Sequence, residues 1–218
     1  MTPYFDDGQC VIYHGDCRDV LPTLGKFDLL LTDPPYGLNI ETRNSTNKRD
    51  RNFIARDHDP VFGDDRPFDP SHLLGISDAK ILWGANNYAS KLPDSPCWLA
   101  WDRKCQQASN STITDVELAC VIGHRFKTVR IFRHLWAGYQ RASEIGLRSV
   151  HPTQKPVALM AWCLSFFPDA QTVIDPYMGS GPVARACKDA GRRYVGIEIE
   201  ERYCEIAAKR LSQQVLAL

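Results

Sequence analysis

Asp33-Pro34-Pro35-Tyr36 joins a carboxylate, two prolines and an aromatic ring within four residues. The prolines fix φ and exclude helix, so the Asp33 carboxylate and the neighbouring backbone carbonyls are held rigidly. Such a set suits an aryl amine, a poor nucleophile because its lone pair is delocalised into the ring. Acceptors fixed on its two N–H bonds favour a pyramidal nitrogen and turn the lone pair outward. This is electrostatic preorganisation. A flat ring beside them can stack on the base that carries the amine. A sulfonium methyl then needs only in-line approach. The proton can leave after transfer, so no strong base is required.

A second cluster lies far along the chain. Asp175-Pro176-Tyr177-Met178-Gly179-Ser180-Gly181 follows an apolar run and precedes a helical pattern. Glycines there admit positive φ and let backbone pass close to a ligand. The helix start supplies free N–H groups. Glu198 ends the next apolar run, where an acid can accept hydrogen bonds from ribose hydroxyls. The pairing points to an adenosine-type ligand. A G-x-G turn without a third glycine is a weak dinucleotide signature by itself.

These residues need a scaffold that brings them to one edge. Phe27–Thr32, Lys80–Trp83 and Cys97–Trp101 are short apolar runs closed by turns, as expected for strands buried on both faces of a parallel sheet. Cys10–His14, Val116–Ile122 and Thr128–Phe132 are further strand candidates. The last third alternates clearly. A helix runs from Pro156 towards Phe167, a strand over Thr172–Asp175, a helix from Val183 to Ala190 stopped by Gly191, a strand over Tyr194–Glu198, and a final helix carrying Tyr203, Ile206, Ala207 and Leu211. The fold class predicted is α/β, a doubly wound and mostly parallel sheet of Rossmann-like type with a small insertion. One domain over residues 1–218 is expected. Residues 38–70 are polar and lack apolar periodicity. Long structureless loops of this kind are usually functional or disordered.

Four motifs in this order resemble the DNA amino-methyltransferases that use S-adenosylmethionine. They are Asp33-Pro34-Pro35-Tyr36, His151-Pro152-Thr153-Gln154-Lys155-Pro156, Asp175 to Gly181, and Gly196-Ile197-Glu198. The tetrad precedes the glycine turn, as in the family's β group. The resemblance implies catalysis by Asp33, Pro34, Pro35 and Tyr36. Asp33 and the Pro34 carbonyl would accept from the amine, and Tyr36 would stack on a flipped base of double-stranded DNA. It also implies a cofactor site at Asp16, Asp33, Thr153, Lys155, Asp175, Tyr177, Gly179, Ser180, Gly181 and Glu198. Within it Asp16 would reach the adenine amino group, Glu198 the ribose, and Thr153 and Lys155 the carboxylate. No metal is implied. Asp in the first place of the tetrad is associated mostly with adenine N6, and Ser with cytosine N4. N4-cytosine methylation and an inactive DNA-binding protein on the same fold remain open alternatives. A protein-glutamine methyltransferase fits less well, because there the cofactor turn precedes an Asn-Pro-Pro-Tyr tetrad. Tyr177 stands where Phe is usual and brings a hydroxyl that needs a partner. Pro182 stands where Thr is usual.

Twenty-six basic and 26 acidic residues give zero formal charge, which excludes a uniformly basic coat. Local asymmetry remains. Between His124 and Lys155 stand Arg125, Lys127, Arg130, Arg133, Arg141, Arg148 and Lys155, against Glu144 alone. Phe126, Phe132, Trp136 and Tyr139 are interleaved. Residues 41–56 hold five cations and two acids. Segments 38–70 and about 103–150 are therefore expected to contact DNA and select its target. Trp83 to Tyr88 follows a strand on the same edge but reads equally well as a plain turn, and is not counted in the site. The eight cysteines lack C-x-x-C pairing and read as reduced thiols of a cytoplasmic protein. No apolar run is long enough to span a membrane. A homodimer and a restriction nuclease partner are left open.

Overall fold

The computed structural model describes residues 1–38, 61–105, 114–125, 127–137, 140–145 and 153–213. The strands are β1 (Phe5–Asp6), β2 (Cys10–His14), β3 (Leu29–Thr32), β4 (Ala79–Trp83), β5 (Cys97–Asp102), β6 (Val116–Ile122), β7 (Val129–Arg133), β8 (Trp136–Ala137), β9 (Gln140–Arg141), β10 (Thr172–Asp175) and β11 (Arg193–Glu198). The helices are α1 (Cys17–Val20), α2 (Val157–Leu164), α3 (Pro182–Asp189) and α4 (Glu201–Ser212).

Nine strands form one sheet in the order β1-β2-β11-β10-β3-β4-β6-β5-β7. The five strands from β2 to β4 in that order run parallel. All four residues of β3 are buried, which explains why its sequence is apolar without alternation. Strand β6 is antiparallel to both its neighbours, β4 and β5. The expectation of a mostly parallel doubly wound sheet is met, with β6 reversed towards one end and the short β1 antiparallel at the other.

Helices α2, α3 and α4 cover one face through Leu159, Met160, Cys163, Val183, Cys187, Cys204 and Leu211. The other face packs on α1 and on a segment of short turns through Val20, Phe68, Leu73, Ala85 and Tyr88. Helix α1 escaped the periodicity reading because four residues cannot show a repeat. Arg192 closes α2 by donating to Leu164 O and Phe167 O, a cation on a helix C-terminus. All eight cysteines are free thiols, seven of them buried. No helix among the described residues is long and apolar enough to cross a membrane.

Strand order reverses between β10 and β3, so a crevice opens beyond their carboxyl ends. Asp16, Asp33, Gly84, Asp175 and Glu198 all stand at the carboxyl ends of the parallel strands. Gly181 starts α3 at φ +78°, and a Cβ built on it would lie 2.9 Å from the Ala207 Cβ of α4. It thus serves both the turn and close helix packing. Gly181→Ala is expected to cost at least about 1–2 kcal/mol of stability, read as a lower urea midpoint.

Candidate active site

Asp33 follows the buried β3 directly, and its side chain is half-buried at the crevice, 19 % exposed. Oδ2 accepts from Lys155 Nζ at 2.5 Å, and Oδ1 accepts from the Tyr36 hydroxyl. Burial raises the Asp33 carboxyl above its ordinary value; Lys155 opposes this and Glu117 adds to it. The Tyr36 ring packs against Gly84, whose missing side chain makes the space: a Cβ there would clash with the ring. The Trp83-to-Tyr88 turn therefore belongs to the site, as the floor under Tyr36.

Backbone geometry after the tetrad is set by a residue the sequence did not announce. Asp64 Oδ1 accepts from three successive amides, Tyr36 N at 3.1 Å, Gly37 N at 2.9 Å and Leu38 N at 3.1 Å. Asp64 is buried. Segment 61–72 thus lines the crevice while fastened to the tetrad loop. Its other end is fastened to the glycine turn, where His72 Nε2 and the Tyr177 hydroxyl share a hydrogen bond of 2.9 Å. This is the partner that the additional Tyr hydroxyl required. Phe68 packs edge-on against Tyr177, Tyr88 and His72.

Lys155 is 5 % exposed and lies 3.0 Å from Glu117 Oε2 as well as on Asp33. Glu117 Oε1 in turn accepts from Arg103 at 2.6 Å. Arg103 also donates to Trp136 O. Charges alternate along this chain of four. Burial favours the neutral amine of Lys155, but Asp33 and Glu117 outweigh it and raise its pKa. Burial pushes Glu117 up, and Lys155 and Arg103 bring it below its ordinary value. Neither Glu117 nor Arg103 was foreseen.

The glycine turn is built on hydrogen bonds to its acids. Glu198 accepts from Gly179 N and Glu200 N, both at 2.8 Å. Two such bonds leave lone pairs on the carboxylate for hydroxyl donors. Asp175 accepts from Thr32 Oγ1 at 2.7 Å and from Tyr177 N at 3.2 Å, and burial raises its pKa to about 7. Ser180 is 1 % exposed, and its hydroxyl has no hydrogen-bond partner among the described residues. Asp16 caps α1 through Arg18 N and pairs with the Arg18 guanidinium, which lowers its pKa.

A cavity of about 470 Å³ joins these parts. Asp16, Asp33 to Tyr36, Thr153, Lys155, Asp175, Tyr177, Gly179, Ser180 and Glu198 all line it. Its volume falls in the range of small-ligand sites. Gly181 stands one residue beyond Ser180, behind the lining. Lys155 lies on Asp33 within that lining and reaches Glu117 outside it. His151 and Pro152 lie outside the described residues, as do 39–60 of the polar segment.

The basic stretch divides between two edges. Antiparallel β6 carries the chain away from the crevice, since Ile122 pairs with Lys80 at the start of β4. Arg125 and Arg130 line a separate depression there with Phe166 and Phe167. Strand β7 returns, so Arg133 lies beside Asp102 at the crevice edge. Arg141 covers the Trp136 ring at 4.3 Å. Glu144, the one acid of the stretch, accepts from Val157 N at the start of α2 and from Gln154 Nε2.

A crevice at a strand-order reversal, with Glu198 and Asp33 on one cavity, is the ligand-binding arrangement of an open α/β fold. Residues 73–209 match the family model described as DNA methylase, and the chain belongs to that family. It is 25 % identical to the type II methyltransferase M.ScaI of Streptomyces caespitosus, over 99 % of this chain and 86 % of that one. The structure of M1.HpyAVI bound to SAM superposes with a TM-score of 0.57, at 23 % identity, over 94 % of this chain and 100 % of that one. The PvuII cytosine-N4-specific DNA methyltransferase superposes with a TM-score of 0.66, at 12 % identity, over 99 % and 90 %.

Asp64→Ala leaves three amides without their acceptor, and an orphaned buried donor costs about 1–3 kcal/mol. A loss of that order is expected in urea unfolding, and a smaller one for Asp64→Asn, which keeps an acceptor oxygen. Asp175 makes a pH prediction. Its folded pKa of about 7 exceeds the ordinary 3.8, so the folded state binds the proton more tightly. The stability this contributes is full below about pH 4 and is lost as pH rises through about 7. Asp175→Asn is expected to flatten that decline in unfolding measured from about pH 4 to about pH 8.

Proposed function

We propose that this chain is a site-specific DNA methyltransferase that transfers a methyl group from S-adenosylmethionine to the exocyclic N6 of adenine. The observation that carries the reading is the placement of Asp33 and the Gly179–Glu198 pair on one cavity at the ends of neighbouring strands. The donor set suits the cofactor. Glu198 has acceptor capacity left for ribose hydroxyls, and the Ser180 hydroxyl is a buried polar group still to be satisfied. Carboxylates outnumber cations among the lining residues, which favours a positively charged ligand. When bound, S-adenosylmethionine supplies an activated methyl group.

The chain's own residues then do the rest. Asp33 and the Pro34 carbonyl accept the amine hydrogens and aim its lone pair. Tyr36 offers a ring on which an extruded base stacks. Arg133, at the crevice edge, suits a DNA phosphate beside the cavity. Asp33 as the first residue of the tetrad supports adenine over cytosine.

Asp33→Ala is expected to abolish turnover while cofactor binding, followed by calorimetry, survives. Turnover within about tenfold of wild type, only ~1.4 kcal/mol of barrier, would refute the assignment. Nucleoside analysis of DNA treated with labelled cofactor decides the base. N6-methyladenine is expected, and N4-methylcytosine overturns the adenine reading.

A further inference from the structure

We propose that Glu117 and Arg103 are positioning residues for Asp33, holding the Lys155 ammonium on the carboxylate that receives the target amine. The inference rests on the reading of Asp33 given above. It departs from the role that the His-Pro-Thr motif implies for Lys155, at a cofactor carboxylate. Nζ of Lys155 is instead bound between Asp33 Oδ2 at 2.5 Å and Glu117 Oε2 at 3.0 Å.

The geometry gives each residue a task. Glu117 projects from β6 at the end nearest the crevice, where it pairs with Trp101 of β5. Arg103 follows β5 and reaches Glu117 at 2.6 Å. Both belong to elements that carry none of the cofactor-cavity lining. They therefore touch Asp33 only through Lys155. Without Glu117 the ammonium is tethered on one side alone. Without Arg103 the Glu117 carboxylate loses its own partner. The other titratable groups near Asp33 are the Tyr36 hydroxyl on its own loop, Asp175 at the end of β10, and Tyr88 after β4.

Electrostatics fixes the sign of each change. Glu117→Gln deletes a negative charge beside both Lys155 and Asp33, so both groups lose protons more readily. Arg103→Gln deletes a positive charge from the same chain, so both hold protons more firmly. The test is kcat for methyl transfer against pH for the two variants, with cofactor Kd from calorimetry. Glu117→Gln is expected to lower the plateau about threefold or more and to move both limbs to lower pH, with Kd within about twofold of wild type. Arg103→Gln is expected to move both limbs to higher pH. Limbs that stay in place, or move the same way in both variants, overturn the proposal. So does a Kd weakened about tenfold with kcat unchanged, which assigns the pair to the cofactor. If Glu117→Gln does not fold, Arg103→Gln decides alone: an upward shift supports the proposal and an unmoved profile overturns it. An active Asp33→Ala enzyme is a separate result that removes the underlying reading.

Discussion

A carboxylate set at the mouth of an apolar sheet must be given a countercharge, or burial will neutralise it. Asp33 meets that constraint through Lys155, which arrives from 122 residues away in the chain. The ammonium is itself buried and faces the same problem, which Glu117 answers. Arg103 then answers for Glu117 and stands closest to solvent. Alternation lets each charge offset its neighbour's desolvation. Breaking one buried link leaves an unpaired charge, a loss of about 3–5 kcal/mol in comparable systems. Much of the architecture around the crevice can be read as what brings these four groups together: the reversed strand β6, the return of β7, and the seating of α2 by Glu144.

The sheet adds a second consequence. Parallel strands deliver their carboxyl ends to one edge, and this chain places an acid at most of them. Asp175 is too deep to ionise easily and is wrapped in donors from Thr32 and Tyr177. Glu198 is spent partly on the Gly179 amide, which orders the glycine bend before any ligand arrives. Two straps then fix the opening. Asp64 holds the tetrad loop, and His72 holds the glycine turn, from either end of one segment. Both chemical halves of the cavity are thus referenced to the same short stretch of backbone.

Legibility in the sequence followed range. The apolar runs, the Asp33 tetrad, the glycine turn and Glu198 are local patterns, and the fold follows from them. Glu117 left a trace, a charge inside the otherwise apolar run Val116–Ile122, but its partner could not be read from spacing. Arg103 and Asp64 are ordinary polar residues in turns, and only tertiary contact gives them a role. The Tyr177 hydroxyl announced that it needed a partner; His72, 105 residues earlier, is invisible to any window. Counting charges between His124 and Lys155 treated as one surface what β6 and β7 divide between two edges. Net charge carries no information about which way a strand runs.

Tyr36 connects the electrostatics to the chemistry. Its hydroxyl occupies the Asp33 oxygen that Lys155 leaves, so the carboxylate is satisfied on both oxygens. A carboxylate kept charged by water would have to shed that water before a base could reach it. Here the displaceable donor is a side chain on a ring already braced against Gly84. On the proposed reading, an incoming N–H replaces an O–H donor at the same oxygen, and Lys155 stays in place throughout. The amine then meets a carboxylate already oriented by two fixed donors, and little reorganisation is left for the moment of transfer.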